Sequence, residues 1–402
     1  MKFSSIFMLY SLFLGFCVGI FSALFLVIVN FLIQVVWQTI PEALSFPIYY
    51  PLIVTLIGGG VIGLFQKKVG QYPKTIEETL KEFKEQKTVT YKYRVGKNFS
   101  AALAVLTFGA SLGPEAALGS LLGEGISWIG DQMKWTLAKR EQLLEVSLGT
   151  MLAVIFHAPF MSVAQPLEQE QENIRIKWKK IVLYVATTIV GILGFTFTQK
   201  LFPQEKVFEI RTPAITWDIN LLYVILPAIL CGIGFGYLFL FSETVSERIA
   251  KKINHPLLLA LLAGLLIGIF GMISSYFLFS GEHSVGTLSR EYQKLTIGYL
   301  LFLAVGKMCW TNISFAFGWR GGKIFPAIFT SVAVGLAFVK LFPFTPGLLV
   351  SIIVASSLTI ILKQVWVTAA LLLFLFPLQF FPVILFVCWL TKQVSNKIQP
   401  SK

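Results

Sequence analysis

The chain carries no charged residue between Ile6 and Val36. That run is far longer than the roughly 7–15 apolar residues of a signal-peptide core. It also exceeds the roughly 20 residues that cross hydrocarbon as a helix, so it is read as a retained, tilted first span. Ten further apolar segments lie at 49–66, 99–130, 141–168, 180–202, 217–242, 255–280, 297–318, 324–342, 345–362 and 365–391. A chain of this kind has one solution open to it, an all-α polytopic bundle in a bilayer. Charged residues make up only 13% of the chain, against roughly 25% in soluble domains, so about half of the usual solvated surface is missing.

The net charge of +13 does not point to nucleic acid. The basic residues gather between apolar segments, at Lys81 to Lys97, Arg175 to Lys180 and Arg248 to Lys252, as the positive-inside rule produces. These loops, both termini among them, are expected on the cytoplasmic face of the cell membrane, with the 200–218 linker outside. The basic stretch 134–140 then falls outside, against the rule. Cys17, Cys231, Cys309 and Cys388 are isolated, and His157, His255 and His283 form no ligand spacing, so neither a disulfide framework nor a metal site is indicated.

Several segments are interrupted where a simple span would not be. Gly113-Pro114, Ala158-Pro159 and Gly321-Gly322 with Pro326 are such breaks, whereas Pro227 and Pro377 read as ordinary kinks. Broken helices leave backbone groups unsatisfied in lipid, and survive only inside protein or beside a water-filled cavity. The hydrophilic stretch Lys200 to Asp218 divides the chain. Before it lies GASLGPEAALGSLLG and after it GWRGGKIFPAIFTSVAVG, each a glycine-rich break followed by a proline-led helix. Paired interrupted segments in two halves mark a binding site in an inverted-repeat transporter. Small-xxx-small pairs (Gly15 and Gly19, Gly119 and Gly123, Gly264 and Gly268) provide for close helix approach. Trp37, Trp128, Trp135, Trp178, Trp217, Trp366 and Trp389 are placed as interfacial anchors.

Pro114 and Pro326 fit the first position of a helix, where a missing N–H is harmless. The next N–H groups along the chain point back into each break. Two helix N-termini aimed at one cavity make a cradle for an anion, held weakly enough to leave.

Taken in order, these breaks resemble the signatures of the CLC chloride channel and transporter family, GSGIP, G(K/R)EGP and GxFxP. They read here as Val69-Gly70-Gln71-Tyr72-Pro73, Ala110-Ser111-Leu112-Gly113-Pro114 and Gly322-Lys323-Ile324-Phe325-Pro326. The family's FNAP stretch reads Phe156-His157-Ala158-Pro159 and is followed by Glu168. The resemblance implies a CLC-like inverted-topology repeat with halves at 1–210 and 211–402, without the cytosolic nucleotide-sensing pair of eukaryotic members. It further implies transport of chloride or similar small anions, no cofactor, and a homodimer with one pore per subunit, joined near 158–195 and 350–390. Backbone donors for the anion carry over to Lys323 and Ile324, and to Leu112 beside Gly113. Gly70 stands where the family has an anion-coordinating serine, and no equivalent of the pore tyrosine is evident.

Two departures bear on mechanism. The family's gating glutamate falls on Leu112 and its inner proton-accepting glutamate on Gln169, next to Glu168. Neither leucine nor glutamine titrates, so passive conduction without proton coupling is expected. The alternative is proton-coupled exchange with Glu115 as a displaced gate. Glu115 equally suits the first turn of a helix as a stabilising carboxylate, and Lys323 could attract the anion or pair with Glu115. Two other readings stay open. Gly109-Ala110-Ser111-Leu112-Gly113 matches GxSxG, with His157 elsewhere, but a nucleophile elbow needs a strand-to-helix turn and both flanks read as helix. A carrier of an organic anion would want a charged clamp, for which Arg320 is the nearby candidate. A non-transporting scaffold would have no use for broken helices.

Overall fold

The computed structural model describes residues 5–44, 48–91, 95–133, 137–168, 174–203 and 218–398. The described residues form helices and turns, with a single isolated β-bridge between Gly113 and Gly322. The first group of helices is α1 (Ser5–Gln34), α2 (Ile40–Leu44), α3 (Tyr50–Val69), α4 (Ile76–Gln86), α5 (Val95–Thr107) and α6 (Glu115–Gln132). It continues with α7 (Leu137–Ile155), α8 (Met161–Glu168) and α9 (Ile174–Leu201). After the linker come α10 (Leu221–Ile253), α11 (Pro256–Ile273), α12 (Ser284–Glu291), α13 (Ile297–Ala316) and α14 (Ile324–Leu341). The chain closes with α15 (Pro346–Leu362), α16 (Val365–Leu375) and α17 (Phe381–Ile398). Among the described residues, eight helices are long and apolar enough to cross a bilayer, which makes this a multi-pass membrane protein. The boundary expected at 210/211 lies outside the described residues.

The interrupted segment 99–130 is two helices, α5 and α6, that fold back on each other as a hairpin. The Tyr91 hydroxyl donates to Asp131 at 2.6 Å, the Val89 N–H to the Ser127 hydroxyl at 2.9 Å, and Arg140 pairs with Asp131 at 2.5 Å. The far end of α6 therefore returns to the face that carries the basic loop 81–97. Arg140, the last residue of the 134–140 stretch, thus lies on the same face as Tyr91 and the 81–97 loop, whereas the sequence reading set the two stretches on opposite faces. The second hairpin, α13 and α14, is tied at its ends in the same way. There Lys340, near the end of α14, donates to the carbonyls of Gln293 and Leu295 just ahead of α13, at 3.0 and 2.5 Å.

Other breaks divide as their chemistry dictates. Pro227 lies within an unbroken α10, as expected of a kink, whereas Pro377 ends one helix: α16 stops at Leu375 and α17 starts at Phe381. The small-residue pairs do bring helices together. A Cβ on Gly19 would fall 2.0 Å from the Gly191 carbonyl of α9, and one on Gly264 would fall 2.3 Å from that of Thr55 on α3. Trp128, Trp178, Trp366 and Trp389 are exposed in keeping with anchoring, while Trp135 and Trp217 lie outside the described residues. Trp37 is partly buried: its indole N–H donates to the Thr107 carbonyl at the end of α5, at 2.8 Å, and its ring packs edge-on against Phe279. It satisfies one of the carbonyls that a helix C-terminus leaves open.

Candidate functional site

The two hairpins meet at their breaks. Gly113 and Gly322 exchange both backbone hydrogen bonds at 2.8 Å, joining the break before α6 to the break before α14. Pro114 sits at the N-cap of α6, whereas α14 begins at Ile324, two residues earlier than the proline placement implied. Pro326 lies within the first turn, where its missing N–H is still one that no intrahelical carbonyl would have claimed.

The Glu115 side chain crosses this seam. Its Oε1 accepts the Ile324 N–H at 3.0 Å, so the carboxylate is seated on the N-terminus of the other half's helix. The Phe325 N–H and Glu115's own N–H also lie against it. Glu115 is buried, and its Oε2 has no hydrogen-bond partner. Space for the carboxylate exists because both bridge residues are glycine. A Cβ on Gly322 would sit 1.8 Å from its Cδ, and one on Gly113 2.1 Å from its Oε2. A helix N-terminus is an anion site by its free donors and its dipole. Here a carboxylate from the same chain takes up that N-terminus.

The first glycine-proline loop is tied to the same seam. Gln66 of α3 donates from its amide to the carbonyls of Tyr72 and Gly318, at 2.8 and 2.7 Å. Arg320 donates to Pro73 and Gln71, each at 3.1 Å, and to both oxygens of Glu78. Burial alone would raise the Glu78 carboxyl; hydrogen bonds and charge from Arg320 overcome it and hold the group below its ordinary value. With its fork so engaged, Arg320 braces the two halves and is not available to clamp an organic anion.

The other residues singled out in the sequence fall into clear places. Gly70 ends α3 in a positive-φ conformation, and its N–H is taken by the Gln66 carbonyl at 3.0 Å, so it closes a helix. Leu112 is buried and lines a cavity of about 660 Å³ together with Pro114, Leu201, Phe202, Glu282 and His283. Lys323 does not pair with Glu115. Its ammonium pairs with Glu243 of α10 at 2.6 Å and stacks 3.9 Å over the Phe315 ring. Glu168 accepts the N–H groups of Val365 and Trp366, one on each oxygen at 2.9 Å, and so caps α16. Gln169 lies outside the described residues. The Ser111 hydroxyl is hydrogen-bonded to Thr311 at 3.0 Å, and the His157 ring packs on Phe195. That arrangement pairs no nucleophile with a base.

Among the residues that the sequence pattern misses is a buried lysine. Lys307 of α13 is fully buried, and its ammonium donates to the carbonyls of Tyr276, Leu278 and Phe279, at 2.7, 3.2 and 2.7 Å. It anchors the segment that leads to Ser280–Ser284 in the cavity wall. The signal is a lone lysine in an apolar run, since buried charges in spans are costly and retained for cause.

Residues 54–396 match the family model described as voltage gated chloride channel. Among named proteins, the chain is 24% identical over 379 residues to an ion-transport protein, YfeO, of Escherichia fergusonii, covering 87% of this chain and 84% of that one. The same figures hold for YfeO of Shigella flexneri. Among solved structures it resembles a slow cyanobacterial Cl⁻/H⁺ antiporter, with a TM-score of 0.82 at 18% identity over 99% of this chain and 96% of the other. A CLC-type fluoride/proton antiporter gives 0.78 at 17% identity, over 98% and 96%.

Proposed function

The chain belongs to the voltage gated chloride channel family, and from that premise we propose that it exchanges chloride or a similar small anion for protons across the cell membrane, with Glu115 as the gate. The observation that carries this reading is the Glu115 carboxylate seated on the Ile324 N–H between Gly113 and Gly322. An anion and this carboxylate compete for the same donors. Protonation removes the charge that holds Glu115 there and leaves the cradle to the anion; when the anion departs, the ionised carboxylate returns. The passive conduction expected from Leu112 and Gln169 rests on the absence of a titrating gate, and Glu115 supplies one three residues further on. Two fold relatives described as proton-coupled antiporters support the same choice.

The test is proteoliposome flux at equal pH and zero potential with an imposed chloride gradient. The wild type should move protons uphill, and Glu115→Gln should abolish proton movement while anion flux persists. A wild type that passes chloride and moves no protons would return the passive reading, with Glu115 as a fixed plug.

Lys323 enters this scheme through its partner. With Glu243 it forms a half-buried neutral pair beside the third motif. Lys323→Ala should lower chloride flux roughly three- to tenfold at low salt, because it leaves the Glu243 carboxylate uncompensated near the anion path. Lys323→Ala/Glu243→Gln should recover most of that loss. If the double variant remains as slow as the single one, the lysine itself attracts the anion.

A further inference from the structure

A second buried carboxyl lies on the same helix as the gate. Glu124 of α6 is 2% exposed, accepts the Asn98 amide of α5 on Oε1, and has no hydrogen-bond partner on Oε2. It stands nine residues beyond Glu115, about 13 Å along the helix axis, toward the face with the basic loops. Its surroundings form a polar file. On the cradle side, Tyr72 of the first glycine-proline loop is buried, with its hydroxyl beside Glu124 and Ser120. Ser120 is held by the Lys74 backbone at 2.9 Å. On the other side, Glu82 pairs with Lys74 at 2.7 Å and accepts the Thr90 hydroxyl at 2.9 Å. The Lys74 side chain is 34% exposed and brings the file to the surface. Glu82 and Lys74 are within electrostatic reach of Glu124, and with Tyr72 they are the titratable groups facing it from the loop and from α4.

Packing alone does not require this arrangement. A tie between α5 and α6 needs only a neutral hydrogen-bonding pair, and a buried carboxyl with one idle oxygen is a liability in a membrane protein unless it is used. Glu168 cannot serve the same purpose while both of its oxygens cap α16.

We propose that Glu124 is the proton acceptor on the cytoplasmic side, taking protons through the Lys74–Glu82 surface pair and exchanging them with Glu115 by way of Tyr72. This rests on the proton-coupled reading of Glu115. The proton leaves the carboxyl of one glutamate and ends on the carboxylate of the other, with the Tyr72 hydroxyl donating one proton as it accepts another, so no further reactant is needed. The route explains how coupling can persist with glutamine at 169, since it runs along α6 instead.

The experiment uses reconstituted full-length protein under a chloride gradient, recording chloride and proton movement together while internal and external pH are varied separately. Glu124→Gln keeps the shape and the Asn98 contact. It should cut proton movement by on the order of a hundredfold while chloride flux stays within about threefold of wild type, and it should erase the dependence on internal pH alone. Glu124→Asp should restore part of the proton movement. Wild-type coupling ratio and internal-pH response in Glu124→Gln would overturn the assignment and leave the Glu115 gate standing. Loss of chloride flux together with proton movement in a monodisperse Glu124→Gln, with no rescue by aspartate, would make the residue structural and would also overturn it. A wild type that moves no protons would remove both readings.

Discussion

Gly322→Ala is expected to stop coupled transport while leaving an assembled protein. The added Cβ would fall 1.8 Å from Cδ and 1.9 Å from Oε1 of Glu115, so methyl group and carboxylate cannot occupy the site together. The backbone at Gly322 is pinned by its two hydrogen bonds to Gly113, so the flexible side chain gives way. Overpacking of this kind costs about 1–3 kcal/mol. With a methyl group in the cradle, neither carboxylate nor anion can settle on the Ile324 N–H, and chloride turnover should fall at least about tenfold, equivalent to about 1.4 kcal/mol of lost binding. Glu115→Ala added to Gly322→Ala should recover the thermal midpoint without recovering coupling, because the two changes share one volume and their effects are not additive. Near-normal coupled flux in Gly322→Ala would show that the carboxylate does not use this seat during turnover.

Lys307→Met should have the largest effect on stability. Three carbonyls converge on one ammonium that has no exposure, and the Phe329 ring lies 5.0 Å from it. Methionine matches the volume but donates nothing, so the acceptors lose their donor in a site that water does not reach. Leaving buried acceptors without a donor costs about 1–3 kcal/mol each. The thermal-aggregation midpoint in detergent should drop well below those of the Gly322 and Lys323 variants. Arginine should not rescue it, since the three carbonyls surround a compact charge and not a planar fork. An unchanged midpoint would mean that the lysine is a passenger.

Glycine and proline make the breaks legible before any coordinates, because a helix in lipid cannot be interrupted without a reason, and these residues are the ones that interrupt it. Gly113, Pro114, Gly322 and Ile324 are legible in this way and do lie together. The contact between Glu115 and Ile324 is not, since it joins residues 209 apart and no local pattern encodes which N-terminus a carboxylate will choose. The sidedness of 134–140 is not legible, because a glycine-proline break reads the same whether the chain passes on through it or turns back; the contacts of Asp131 with Tyr91 and Arg140 show that it turns back. Pro377 departs from its reading because a proline between two long apolar runs looks the same whether it bends a helix or ends it. Arg320 stands out in the sequence as a spare cation, but its partners lie on α4 and the first loop, in the other half of the chain.

The glycine bridge also bears on how the protein is made. The N–H and carbonyl of Gly113 find their partners in Gly322, which is synthesised 209 residues later (322 − 113). At roughly 5–20 residues per second, that is an interval on the order of ten to forty seconds. Throughout it the first hairpin can be inserted but its tip is unfinished, so water, the insertion machinery or a neighbouring chain has to cover polar backbone that lipid cannot. The donor at Ile324 does not yet exist in a half-made chain either, so a stalled or truncated product carries no seat for the Glu115 carboxylate.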